Sequence, residues 1–183
     1  QGVRLSLDSY LDKTRIPLKI DISTGDVITP CEISFSYQLM FENRTIPLLA
    51  YPPETVLAEK LETILSRGEA NTRLRDFYDV YILQREDFVV TPDALCHALL
   101  ATCRKRGHED LLHTYASILD RVRQSDTMRT QWMKYQSDFD YAAGITWDTV
   151  LDTVETLCMK TLDDHAFGDE LPQEESQFEM HLL

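Results

Sequence analysis

Apolar and polar residues alternate over Val3-Arg4-Leu5-Ser6-Leu7-Asp8, the two-residue period of a strand. A second apolar run, Ile16-Pro17-Leu18-Lys19-Ile20-Asp21-Ile22, ends where Ser23-Thr24-Gly25-Asp26 supply turn formers. Ile33 to Phe41 is rich in β-branched and aromatic residues, and Thr45 to Tyr51 follows the polar turn Glu42-Asn43-Arg44. These segments predict three or four strands.

At Pro52-Pro53 the period changes. Proline is tolerated at a helix start, and Leu57, Leu61, Ile64 and Leu65 then recur at helical spacing until Gly68. A second helix is predicted over about Arg73 to Gln84. A third opens at Thr91-Pro92-Asp93, with Thr91 as N-cap, and stops at Gly107. Two more span roughly 109–123 and 126–137. After Gly144, Thr146 caps a last helix whose Val150, Val154, Leu157, Cys158 and Leu162 share a face. Strands first and helices afterwards predict an α+β fold, a small mixed or antiparallel sheet followed by a helical bundle. The expected division is a β portion over 1–51, a helical portion over 52–166 and an acidic, frayed tail over 167–183.

Composition fits that picture. The 183 residues are 43% hydrophobic and 27% charged, ordinary values for a folded domain with a real core. No stretch approaches the roughly 18 apolar residues of a membrane span, and no signal peptide opens the sequence, so the expectation is a cytoplasmic protein. The net charge of −13 argues against a featureless coat on nucleic acid or anionic membrane, while leaving room for a local basic groove. Over half of that charge belongs to residues 163–183, which hold seven acids and no Lys or Arg. Cys31, Cys96, Cys103 and Cys158 show no paired spacing and are expected as buried free thiols. Cys96 and His97 are adjacent, hence about 100° apart on a helix, and cannot form one site.

Seven positions carry candidate chemistry. Asp21 lies between Ile20 and Ile22 on the face of Lys19; it is either a solvent-facing carboxylate or a site residue. Lys60 stands at the edge of the apolar stripe, where a buried stem can bring its ammonium to a crevice, or where it simply snorkels. The segment Arg75-Asp76-Phe77-Tyr78-Asp79-Val80-Tyr81-Ile82-Leu83 is apolar nearly all round, yet carries Asp76 and Asp79 on one side. Buried carboxylates need partners, and Lys60, Arg73, Arg75 or a metal could serve. Arg67, Arg73 and Arg75 form a small basic cluster, either a solvated or ion-paired face or a contact for phosphates.

The pair Leu57-Ala58-Glu59-Lys60-Leu61 and Arg75-Asp76-Phe77-Tyr78-Asp79-Val80-Tyr81, preceded by Lys19-Ile20-Asp21-Ile22, resembles the AbiEii/AbiGii nucleotidyltransferase toxins of type IV toxin–antitoxin pairs, in the DNA-polymerase-β-like superfamily. The resemblance implies Mg²⁺ and an NTP, a cognate antitoxin, and a nucleotide acceptor for which family precedent favours tRNA. It implies that Asp21 is a metal-binding carboxylate, Lys60 a contact to nucleotide phosphates together with Arg75, and Asp76 an active-site acid with Asp79 as its structural neighbour. Nucleotidyl transfer needs carboxylates for Mg²⁺ and cations for phosphate charge, which agrees with those residue types. The family's Gly-Ser and Asp-x-Asp motif has no counterpart: no Gly-Ser occurs, Asp138-Phe139-Asp140 lies among helices, and Asp8 and Asp12 are four apart. The expectation is therefore an N-terminally incomplete or inactive nucleotidyltransferase, with a non-catalytic protein-interaction module as the alternative.

Overall fold

The computed structural model describes residues 2–85 and 90–163; the expected tail over 167–183 lies outside them. Strand β1 (Gly2–Leu11) pairs antiparallel with β2 (Thr14–Ser23) across a two-residue turn in which Asp12 takes the left-handed conformation at φ 52°, one that Asp tolerates better than most residues. Strand β3 (Ile33–Gln38) pairs antiparallel with β4 (Thr45–Ala50). The four strands make two separate two-stranded sheets. Alternation within a strand sets which side chains share a face, but not which strands pair, so the sequence could not distinguish this from one sheet.

Parity makes both hairpins amphipathic. Val3, Leu5 and Leu7 stand opposite Ile22, Ile20 and Leu18 on one face of the first, while Arg4 opposite Asp21 and Ser6 opposite Lys19 fill the other. Phe35 opposite Leu48 and Tyr37 opposite Ile46 give the second an apolar face too. These apolar side chains are exposed apart from Ile46, which is partly covered.

The core belongs to the helices: α1 (Pro53–Arg67), α2 (Leu74–Leu83), α3 (Pro92–Arg106), α4 (Leu111–Gln124), α5 (Asp126–Asp138) and α6 (Trp147–Leu162). Leu57, Leu61, Ile64 and Leu65 of α1 are buried, each worth roughly 1.5–3 kcal/mol of transfer free energy. Phe77 of α2 lies 5.1 Å from Trp147, and Trp132 Nε1 donates to the Ile145 carbonyl at 2.8 Å, so one indole satisfies its N–H inside the core. Phe77→Ala is the substitution most damaging to α2, at about 3–5 kcal/mol. The expected caps are present: Thr91 accepts from the Ala94 N–H, Thr146 accepts from the Thr149 N–H, and Gly107 closes α3 at φ 70°. Cys96, Cys103 and Cys158 are buried as expected, whereas Cys31, on the loop before β3, is exposed. No helix of the described residues is long and apolar enough to cross a membrane.

Candidate functional site

Helices α1 and α2 pack so that the edge of α1's apolar stripe meets the two acids of α2. Lys60 Nζ donates to Asp76 Oδ1 at 2.7 Å and to Asp79 Oδ2 at 2.7 Å. The Asp76 side chain is only 2% exposed, against 22% for Lys60 and 21% for Asp79. Arg73 Nε lies 2.9 Å from Asp76 Oδ2, yet off the line of a hydrogen bond, so this buried oxygen is charge-paired without accepting one. Arg75 Nε is 3.7 Å from Asp79. Burial pulls the Lys60 ammonium toward a lower pKa, but the two carboxylates outweigh it and hold the group above its ordinary value. Lys60 is therefore charged at any physiological pH.

Two cavities meet at this cluster, sharing Lys60, Arg73 and Asp76 in their walls. One, of about 410 Å³, continues toward Arg67 and Arg106. The other, of about 630 Å³, opens between α2 and the end of α5 and includes Arg75 and Asp79. Four cations and three carboxylates line each, a positive local balance on a chain of net charge −13. Of the residues singled out from sequence, the structure thus brings together Lys60, Asp76, Asp79, Arg67, Arg73 and Arg75. Asp21 lines neither cavity. Parity puts it on the polar face of the first hairpin, where Arg4 directly opposite grips both oxygens at 2.5 and 2.9 Å and lowers its pKa. Lys60 is likewise more than a snorkelling stripe-edge residue: it is the shared partner of both acids.

Residues 1–153 match the family model described as nucleotidyl transferase AbiEii toxin, type IV TA system. The chain belongs to the AbiEii family. No curated protein and no solved structure gives a significant match. Membership in a type IV toxin–antitoxin family implies an antitoxin as partner.

A second charged cluster in this AbiEii protein was not singled out from sequence. Glu62, 2% exposed, accepts from Arg106 Nη1 through one oxygen and faces His108 Nδ1 at 2.6 Å through the other, while Arg106 Nη2 reaches Glu59. Burial pulls Arg106 down, and Glu62 and Glu59 more than restore it. The sequence did carry a signal. Glu62 falls between Ala58, Leu61 and Leu65 on the buried face, and an acid there must find a cation.

The donor set does not fit a resident Mg²⁺. A hard divalent ion asks for several free oxygen ligands. Here Asp76 and Asp79 are both bound to Lys60, Asp21 is bound to Arg4, and among the described residues no three acidic, His or Cys side chains converge on one point.

Proposed function

We propose that the Lys60 cleft binds the triphosphate of an NTP, in the service of nucleotidyl transfer to an acceptor hydroxyl, an RNA end such as that of tRNA being the acceptor class the family resemblance favours. The observation that carries this reading is the state of the Lys60 ammonium. It has three N–H donors. Two are fixed on Asp76 and Asp79, and the third has no partner among the described residues, at the junction of two cation-lined cavities. Two carboxylates thus aim the donor in advance, so that little reorganisation is needed when a phosphate oxygen arrives. Arg73, bordering both cavities, and Arg67 add charge along the path of a phosphate chain. The Asp-x-Asp of these 183 residues is Asp138-Phe139-Asp140, at and just after the end of α5, so the part of the reaction read from this cleft is the binding of the nucleotide.

Equilibrium titration with inorganic tripolyphosphate and with Mg²⁺ complexes of the four NTPs tests this. Binding should be measurable below millimolar concentration, and Arg73→Ala, at a half-exposed side chain whose loss spares the fold, should weaken it about tenfold. Absence of binding by every probe, or an Arg73→Ala protein that binds as well as its parent, overturns the reading.

A second reading, a protein-interaction module, has one observation behind it. Val3, Leu5, Leu7, Leu18, Ile20 and Ile22 form a continuous exposed apolar face, larger than scattered surface residues would give. Tight capture of the antitoxin by a chain that binds no nucleotide would favour it.

A further inference from the structure

The larger cavity differs in character from the smaller one. Helix α5 presents Gln131, Lys134, Tyr135 and Asp138 to it at spacings of three and four, a single helical face. Where α5 ends, the chain turns Phe139 and Tyr141 into the same wall. Their rings lie 5.4 Å apart, Tyr135 is 4.8 Å from Phe139, and the Tyr135 and Tyr141 hydroxyls share a hydrogen bond of 2.9 Å that fixes the Tyr141 ring. Although they adjoin the Trp132 and Tyr135 core, Phe139 stays 42% and Tyr141 50% exposed. Rings held in place, Tyr141 also by Tyr78 at 4.8 Å, and left about half exposed beside cations offer a stacking platform. A second feature is independent of the rings. The Gln131 amide oxygen is buried and accepts no hydrogen bond, and such atoms are rare enough in folded proteins to need a cause.

We propose that this cavity holds a nucleobase, stacked on Phe139 and Tyr141, toward which Gln131 turns its buried amide oxygen to accept from an exocyclic amino group. The inference rests on the phosphate-binding reading of Lys60 and names the part of the ligand that lies beyond it. Phosphates at Lys60, Arg73 and Arg75 leave the base on the aromatic side of the shared wall, because those residues line the cavity that α5 closes. Adenine, cytosine and guanine carry an amino donor, whereas uracil presents only carbonyls and its ring N–H. The geometry therefore orders uracil last. The same chemistry could be supplied by the base of the NTP or by the terminal base of an acceptor strand.

Titration of the full chain with tripolyphosphate, the four Mg²⁺–NTP complexes and a short oligoribonucleotide without a triphosphate separates these cases. ATP, CTP or GTP should bind about tenfold tighter than tripolyphosphate, and UTP should gain less. Phe139→Ala and Tyr141→Ala should remove that gain and leave tripolyphosphate affinity unchanged. Tyr141→Phe, which keeps the ring but loses the hydrogen bond that fixes it, should retain more of the gain than Tyr141→Ala. Gln131→Leu, which keeps the volume and removes the acceptor, should erase the preference over UTP while leaving tripolyphosphate affinity unchanged. If the gain and its aromatic dependence appear with the oligoribonucleotide alone, the base belongs to the acceptor. If NTPs bind no tighter than tripolyphosphate and the oligoribonucleotide ignores the aromatic variants, the base site is overturned while the phosphate site stands. If tripolyphosphate itself does not bind, both fall.

Discussion

Lys60→Met isolates the physics of the shared ammonium. Methionine keeps most of the stem that packs beside the α1 stripe but deletes the charge, stranding Asp76, whose side chain is 2% exposed, and Asp79, one-fifth exposed. Removing one member of a buried ion pair costs about 3–5 kcal/mol. Two features lower that figure here. Lys60 and Asp79 retain some contact with water, and Arg73 still neutralises Asp76 from 2.9 Å, so the expected loss is about 2–3 kcal/mol. For a chain of this size each kcal/mol moves the melting temperature by about 2–4 °C, giving a drop of about 4–12 °C. The assay is thermal unfolding followed by circular dichroism at pH 7.5 without nucleotide, on the parent, Lys60→Met, Asp76→Asn and the double variant. Asp76→Asn leaves Lys60 paired with Asp79 and should cost less, about 1 kcal/mol. In the double variant the more deeply buried of the two stranded charges is gone, and Asp79, one-fifth exposed, carries the other, so it should melt above Lys60→Met, and the cycle should show a coupling above about 1 kcal/mol. A Lys60→Met protein within 2 °C of the parent, or a double variant no better than Lys60→Met, refutes the coupling. The same numbers mean that loss of function in a Lys60 variant counts as evidence about the site only after its stability has been measured.

Glu62→Gln should lower stability by about 2 kcal/mol, since a buried acceptor of two charge-assisted contacts becomes neutral; an unchanged melt would show that Arg106 and His108 find other partners. In the native protein at pH 8 a thiol reagent should label Cys31 alone and all four cysteines after denaturation, because burial pushes Cys103 and Cys158 up to about 12; rapid native labelling of either refutes the burial. Those raised values also fix a sign. The unfolded chain releases these protons from about pH 9, the folded one only near 12, so the contribution of the neutral thiols is complete below pH 9 and the melting temperature should fall between pH 9 and 12; a flat profile there contradicts it. Leu5→Lys with Ile20→Glu, an opposite-charge pair across the exposed face of the first hairpin, should change stability by under about 1 kcal/mol while reducing binding of a hydrophobic dye; a cooperative loss of fold would mean that face is covered.

What the sequence disclosed divides along one physical line. Local rules held: Thr91, Thr146 and Gly107 cap the helices they were expected to cap, and alternation assigned Val3 to Asp8 to their faces and put Asp21 on that of Lys19. Such features depend on neighbours within four residues or on a single turn. Contacts between elements were less visible. Asp21 could be placed on the face of Lys19 in β2, but its partner depended on the register with β1, which set Arg4 opposite. Asp76 and Asp79 were expected to need a partner, and Lys60, Arg73, Arg75 or a metal were the candidates; packing of α1 on α2 brings Lys60 to both. Gln131 and the aromatic end of α5 left no trace in periodicity, since their significance lies in a cavity built with α2.

Helix α1 carries Lys60 and Glu62 two positions apart, about 200° around its axis, so each needs a partner from a different helix. Lys60 finds Asp76 and Asp79 on α2, and Glu62 finds Arg106 at the end of α3. Buried ion pairs are weak evidence for stability, because well-packed apolar residues could join the same helices as firmly. What distinguishes the two clusters is what remains unused in each. Both oxygens of Glu62 are engaged, leaving that residue to hold Arg106 at the wall of the smaller cavity. Lys60 keeps one donor unpartnered among the described residues, and it alone of the two opens on both cavities. Glu62 is thereby a positioning residue whose loss should show first in stability and only weakly in phosphate affinity through Arg106. Lys60 should affect both at once, and its effect on tripolyphosphate binding should persist under conditions where the variant is fully folded.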